Sequence, residues 1–225
     1  MKLLIADKLS PNAISALTAM DAEVDVQPEL QSEELPGAIG DREVLIVRST
    51  KVTRTAIDAA PQLSLIVRAG AGVNTIDVAA ASANGVYVAN CPGQNADAVA
   101  ELAIGLLIAA DRRIADATLG LREGRWEKKA FGDARGLKGR TLGILGLGAI
   151  GLAVLQRARA LEMQILAWSR SLTEEKAEAL GVKHAASPQE VARASHAVTV
   201  HVAAAPETRQ MVDQAFLHAM KPGAI

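Results

Sequence analysis

Residues 141–151 read TLGILGLGAIG, an apolar run that passes at once into three glycines spaced Gly146-x-Gly148-x-x-Gly151. The run has the continuous apolar character of a strand covered on both faces. The residues after it place Leu152, Leu155 and Ala158 on one side of a helix. A strand that turns straight into a helix through glycine opens a dinucleotide-binding βαβ unit. Gly146 permits the tight turn, Gly148 lets a pyrophosphate approach the main chain, and Gly151 lets the helix pack close to the strand. Ala149 and Ile150 begin that helix, whose unpaired amides and partial positive charge face the phosphates. The glycines alone are a weak pattern. The strand before and the helix after raise it above an ordinary α/β turn.

The end of the next strand selects the cofactor. An Asp or Glu about 20 residues past the glycines would bind the ribose hydroxyls of NAD. The matching position is Ser169, followed by Arg170 and Ser171. No carboxylate stands there to repel a 2′-phosphate, and Arg170 can pair with one. NAD or NADP is therefore expected, with a lean to NADP. The alternative is that Arg170 is an ordinary solvated loop arginine and NAD is used.

The rest of the chain supplies the frame. Strand-like runs at Lys2–Ala6, Glu23–Val26, Val44–Val47, Ser64–Arg68 and Val86–Ala89 alternate with helix-like stretches at Pro11–Ala19, Arg54–Ala60 and Asp77–Ala83. That alternation implies a parallel sheet covered on both faces. A long helix follows, about Ala96 to Leu121, with Val99, Leu102, Ala103, Leu106, Leu107 and Ala110 at helical spacing. Ile104 and Ile108 widen this stripe. It is either a buried inter-domain helix or one whose second face meets another subunit. A second series sets strands Thr141–Leu145, Gln164–Trp168 and Ala197–Val202, with a short one near Val182–His184, among helices Ile150–Leu161, Thr173–Leu180, Ser187–Ala194 and Asp213–Ala219. Thr173 and Ser187 are candidate N-caps, and Glu190 completes a capping box with Ser187. The expected class is α/β with two domains, residues 1–95 and 96–225.

Charge and cysteine content narrow the partners. The net charge of −1 argues against nucleic acid or an acidic membrane held by bulk charge. Residues 1–100 carry 7 basic and 12 acidic groups, and the remainder carry 17 and 13, so the second half suits an anion slightly better. The single cysteine, Cys91, forms no intrachain disulfide, and a reducing cytoplasmic location is expected. The apolar start, MKLLIADKLS, is too short for a signal peptide. No Cys/His cluster has metal-ligand spacing.

VRSTKVT (47–53), RAGAGVNTID (68–77), NCPGQNADAVAELAIGLLIAADR (90–112), the glycine turn, VTVHVAAAPET (198–208) and MKPGAI (220–225) together resemble the D-isomer-specific 2-hydroxyacid dehydrogenases, and within that family its phosphoglycerate dehydrogenases. The resemblance implies a flavodoxin-like substrate domain, then a Rossmann domain, with a cleft between. It implies homodimers paired through the Rossmann domain and the helix 96–121. It implies substrate contacts at Arg48, Ser49, Gly70, Ala71, Gly72 and Asn95, and cofactor contacts at Ala71, Ala149, Ile150 and Val202. An arginine at a strand's C-terminal end also suits a carboxylate or phosphate, and amides of the 70–72 turn can cradle a carboxylate. Asn95 could equally be an N-cap or Asx turn.

Some features depart from the family pattern. Ala203-Ala204-Ala205 stands where a proline is usual, so a looser loop is expected. His196 replaces a common Asp. The 47–53 loop is one residue shorter than in many phosphoglycerate dehydrogenases, which leaves 3-phosphoglycerate and glyoxylate or hydroxypyruvate both open as substrates.

The family's catalytic arginine, glutamate and histidine follow the MKPGA turn. None falls within residues 1–225, so the Rossmann domain is expected to be truncated and the chain to be a fragment without turnover by itself. Without the family, His201 would be an acid/base candidate. His184, His196 and His218 read as surface or cap residues, and Cys91 as a small packing group. A non-catalytic NAD(P)-sensing protein of the same fold is the alternative of another class.

Overall fold

The computed structural model describes residues 1–225. They form two compact units, Met1–Gln94 and Asn95–Ile225.

In the first unit the order is β1 (Lys2–Ile5), α1 (Pro11–Thr18), β2 (Glu23–Val26), α2 (Leu35–Ala38), β3 (Val44–Val47), α3 (Arg54–Asp58), β4 (Leu65–Arg68), α4 (Val78–Ala83) and β5 (Tyr87–Asn90). All pairings are parallel, in the order β2-β1-β3-β4-β5. This is the flavodoxin-like order, which reverses between β1 and β3. Alternation along each strand feeds two cores. Leu4, Leu45, Val47 and Ile66 pack with Leu35, Ile57, Ala80 and Ala81. Leu3, Ile5, Val44 and Ile46 pack with Ile14 and Leu17. All four residues of β3 are buried, which is why VLIV carries no polar alternation. Gly85, with φ +71°, closes α4: its neighbour's amide, Val86 N, donates to Ala81 O at 2.8 Å.

The second unit runs α5 (Ala96–Arg112), α6 (Ile114–Arg122), β6 (Thr141–Leu145), α7 (Ala149–Ala160), β7 (Gln164–Trp168), α8 (Glu174–Ala179), β8 (Lys183–His184), α9 (Pro188–Ala194), β9 (Ala197–Val200) and α10 (Gln214–Ala219). Its parallel sheet has the order β8-β7-β6-β9. That is the 3-2-1-4 part of the Rossmann order, which reverses between β6 and β9. Ile225 lies alongside β9, donating to His196 O at 3.1 Å and accepting from Val198 N at 2.8 Å.

Several expectations are corrected. The helix expected over 96–121 is two helices. Arg113 adopts a left-handed conformation, φ +51°, and ends α5. Its guanidinium stacks 4.9 Å from the Phe131 ring centroid and donates to Asp116 Oδ2 and Ala130 O, so contacts distant in sequence hold the break. The buried stripe of α5 is also displaced. Ala100, Ile104 and Leu107 are buried with Val154 and Leu155 of α7, whereas Leu102 and Leu106 are 62% and 61% exposed. At α9, Ser187 Oγ accepts from Glu190 N at 3.2 Å. In return the Glu190 carboxylate accepts from Ala186 N at 2.8 Å, one residue before the expected Ser187 amide. Thr173 caps α8 through Lys176 N at 3.3 Å. The strand expected to reach Val202 ends at Val200, and the short helix α2 was not foreseen.

Candidate functional site

The glycine turn joins β6 to α7. Gly146 sits at φ +95°, and a Cβ there would stand 2.6 Å from His201 O and 2.9 Å from Val202 N. A side chain at Gly146 is thus excluded by the main chain that leaves β9. At Gly151 a Cβ would overlap Gly146 O outright and stand 3.0 Å from Gly146 C. Gly148 differs from both. Its φ is −77° and ψ −165°, ordinary extended values, and a Cβ would meet nothing within 4 Å. No contact inside the chain requires glycine at 148. The open space lies before the first turn of α7, whose earliest intrahelical bond from this end is Leu152 N to Gly148 O at 3.0 Å. The amides of Ala149, Ile150 and Gly151 precede it and face outward, as an anion-binding helix start requires. The residues present therefore fit a pyrophosphate.

Ser169 and Arg170 follow β7, the neighbour of β6, with Arg170 exposed. A hollow of about 280 Å³ beside Ser169 is lined also by Leu147, Leu152, Ser171 and Lys176, and no carboxylate lines it. Lys176, whose Nζ donates to Ser171 O at 3.2 Å, adds a cation that the sequence reading passed over. Val202 is half-buried against the turn. The three alanines after it are tied rather than loose: Thr208 Oγ1 donates to Ala203 O at 2.6 Å and accepts from Ala205 N at 3.0 Å. His201 is half-buried and paired with a neighbouring hydroxyl. Its Nε2 lies 2.7 Å from Thr199 Oγ1, and burial lowers its pKa from the usual 6.5.

His196 is half-buried. Its Nδ1 accepts from Thr141 N at 3.0 Å, at the start of β6. Burial, and then the charges of Lys221, Arg140 and Arg135, lower its pKa. Beside it Arg140 and Asp111 form an ion pair at 2.8 Å, their side chains only 12% and 4% exposed.

In the first unit the candidate substrate residues gather at the C-terminal ends of β3 and β4. Arg48 and Ser49 follow β3, both exposed. Gly70, Ala71 and Gly72 follow β4. Gly70 N donates to Arg68 O at 2.8 Å, while the amides of Ala71 and Gly72 have no acceptor in the chain. Asn90 Nδ2 donates to Ala71 O at 2.7 Å. Asp7, Arg68 and Asn90 hold these loops, and none was singled out from sequence. Asn95 belongs to the second unit. It caps α5 by position, without a side-chain bond to the helix.

Comparison with known proteins gives this geometry a lineage. Residues 104–225 match the model of the D-isomer specific 2-hydroxyacid dehydrogenase, NAD binding domain. A D-3-phosphoglycerate dehydrogenase of Methanocaldococcus jannaschii is 41% identical over 226 residues, covering 100% of this chain and 43% of that relative. A hydroxypyruvate reductase of Thermotoga maritima is 39% identical, covering 98% of this chain and 71% of the relative. The chain thus spans less than half the length of the curated phosphoglycerate dehydrogenases it matches. Among solved structures, the TT0316 protein of Thermus thermophilus superposes with a TM-score of 0.90 at 29% identity, covering 100% of this chain and 72% of that one. The chain belongs to the D-isomer specific 2-hydroxyacid dehydrogenase family.

Proposed function

We propose that the protein is an oxidoreductase, or the cofactor- and substrate-gripping part of one, that interconverts a D-2-hydroxy acid and its 2-keto acid with a nicotinamide dinucleotide. The observation that carries this is Gly148: a glycine with ordinary backbone angles and empty space where its Cβ would be, at a helix start flanked by two glycines that the fold itself demands. When bound, the cofactor supplies or accepts the hydride. The amides of Ala149, Ile150 and Gly151 hold its pyrophosphate, Ser169 and Arg170 its adenosine ribose, and Val202 lies beside its nicotinamide ribose. The absence of a carboxylate around Ser169, together with Arg170 and Lys176, supports NADP over NAD.

Arg48, Ser49 and the Ala71 and Gly72 amides receive the substrate's acid groups. 3-Phosphoglycerate is the first substrate, supported by relatives of that activity. Glyoxylate or hydroxypyruvate is the second, favoured by the Ser169-Arg170 pair and by the Thermotoga maritima relative. Leu102 and Leu106, exposed on α5, support a homodimer through that face. Cys91 is exposed and free, which suits a reducing cytoplasm.

Kinetics of the complete protein test the reading. Oxidation of D-3-phosphoglycerate and reduction of hydroxypyruvate and glyoxylate are measured with each cofactor pair. We expect kcat/KM about tenfold or more higher with the phosphorylated cofactor, a difference near 1.4 kcal/mol. A strong NAD preference overturns the cofactor assignment, and no turnover of any 2-hydroxy or 2-keto acid overturns the reaction class.

A further inference from the structure

Where the strand order reverses between β1 and β3, the chain builds an anion site and fills it from within. Asp7, two residues past β1, accepts three consecutive main-chain amides on one oxygen. Arg48 N lies 2.7 Å from Asp7 Oδ2, Ser49 N 3.0 Å and Thr50 N 3.0 Å. Convergent amides of this kind ordinarily receive a free phosphate or carboxylate. Thr50 Oγ1 ties the same loop to Ala6 O at 3.2 Å. From the other side Arg68 joins this loop to the next, its Nε donating to Arg48 O at 3.1 Å and its Nη1 to Gly72 O at 3.0 Å. The side chain of Arg48 takes no part in the network.

We propose that Asp7 is the positioning residue of the substrate loop: its carboxylate is the resident anion of the 48–50 amides, so an incoming carboxylate or phosphate is left the Arg48 and Ser49 side chains and the Ala71 and Gly72 amides. This rests on the assignment of residues 48–49 and 70–72 to substrate made above. The division explains why the two neighbouring loops differ. One has its amides consumed and an unengaged arginine; the other has the Ala71 and Gly72 carbonyls taken by Asn90 and Arg68 and the amides of those two residues free. Burial opposes ionisation of Asp7, but the amides of Arg48, Thr50 and Ser49 outweigh it and hold the carboxyl below its usual value. The anchor is therefore charged at neutral pH.

Amide NMR of the full 225-residue chain tests the proposal without requiring turnover. In Asp7→Ala, exchange at Arg48, Ser49 and Thr50 should be about tenfold faster or more, as expected for lost bonds to a charged acceptor. Added formate should shift those three amides in Asp7→Ala and restore their protection, while leaving them unmoved in the wild type. Asp7→Asn keeps a neutral acceptor and guards against a variant that does not fold; its three amides should shift upfield and exchange faster by a smaller factor. Wild-type exchange rates in both variants, or formate shifts of equal size in wild type and Asp7→Ala, overturn the proposal. A D-3-phosphoglycerate titration of the wild type separates the two readings. Shifts at Ala71 and Gly72 that leave the Thr50 amide, whose side chain is outside the substrate set, unmoved support both, and a Thr50 amide shift as large as those at Ala71 and Gly72 overturns the role of Asp7. No shift in either loop overturns the substrate assignment, and the formate comparison still decides Asp7. In the complete protein, Asp7→Asn should raise the substrate KM several-fold, roughly in the range of one weakened charged hydrogen bond, and leave the KM for cofactor unchanged.

Discussion

Gly148→Ala and Gly151→Ala add the same methyl group three residues apart, and the structure gives the two changes opposite outcomes. At Gly151 the new Cβ overlaps Gly146 O and stands 3.0 Å from Gly146 C. Carbon contacts are optimal at about 3.5–4.0 Å, so α7 must retreat from the turn by on the order of 1 Å. That retreat pulls Val154, Leu155 and Ala158 away from Leu142 and Ile144. Overpacking of this kind costs about 1–3 kcal/mol and more where both partners are backbone. Helix propensity returns about 1 kcal/mol of it. A net loss of about 2 kcal/mol or more is expected. At Gly148 the Cβ touches nothing, and its φ of −77° suits alanine. Restricting the unfolded chain then stabilises by about 0.4–1 kcal/mol, and the poorer fit of alanine at this N-cap position offsets about as much, so the net is near zero. The same methyl group stands where the proposed pyrophosphate must approach. Loss of a single charge-assisted bond there is about 1.5–3 kcal/mol, or about tenfold and more in Kd. Urea unfolding followed by circular dichroism reads the first quantity, and NADPH fluorescence titration reads the second. Gly148→Ala should bind weakly and unfold no earlier than wild type. Early unfolding of Gly148→Ala, undiminished NADPH affinity in it, or wild-type stability in Gly151→Ala would each refute the reasoning.

Three further changes probe the frame around the turn. Arg140→Met strands Asp111, whose side chain is 4% exposed, and should cost about 3–5 kcal/mol in urea unfolding; the double variant with Asp111→Leu should recover part of that loss, and no recovery would count against a charge origin. Ser195 Oγ is buried without a hydrogen-bond partner, so Ser195→Ala should match or exceed wild-type stability by up to about 1 kcal/mol, and a clear loss would show that the hydroxyl has a partner. His196 and His201 both have lowered pKa values in the fold. Their contribution is therefore complete above the unfolded value of about 6.5 and is lost as pH falls from there through the lower folded values. His196→Asn keeps an acceptor for Thr141 N and should reduce the drop in urea midpoint between pH 7 and pH 5; an unchanged drop would remove His196 as its source.

What could be read from sequence was whatever depends on neighbours along the chain. The apolar runs VLIV and LGIL are strands in which each residue is covered. The glycine turn is legible because Gly146 and Gly151 answer to main chain within a few residues or to the strand beside them. Ser169 could be found by counting from Gly151. The features that escaped depend on pairings the sequence does not display. Arg113 breaks the helix with no glycine or proline to announce it, because Phe131 and Ala130 hold its side chain. Lys176 reaches the hollow at Ser169 only because the first turn of α8 folds back on Ser171. The acceptor role of His196 toward Thr141 N exists only because β6 and β9 are neighbours.

Asp7 shows most clearly what adjacency adds. Its partners lie more than 40 residues away in sequence, and they meet only because β1 and β3 are adjacent at the reversal of strand order. A carboxylate directly after the first strand was a hint, since that edge is where α/β proteins gather ligand loops. The second sheet has the same reversal between β6 and β9, with another cluster of main-chain amides at its mouth. No side chain of the chain fills that one, and Gly148 keeps it open. The two edges therefore use one device in two ways. Amides answered by a resident carboxylate shape a loop, and amides left unanswered beside a glycine wait for a ligand's phosphate. On this reasoning a free amide cluster next to a conformationally unnecessary glycine marks a binding site better than the glycine pattern does alone, because the pattern is also required wherever a helix must pack tightly on a strand.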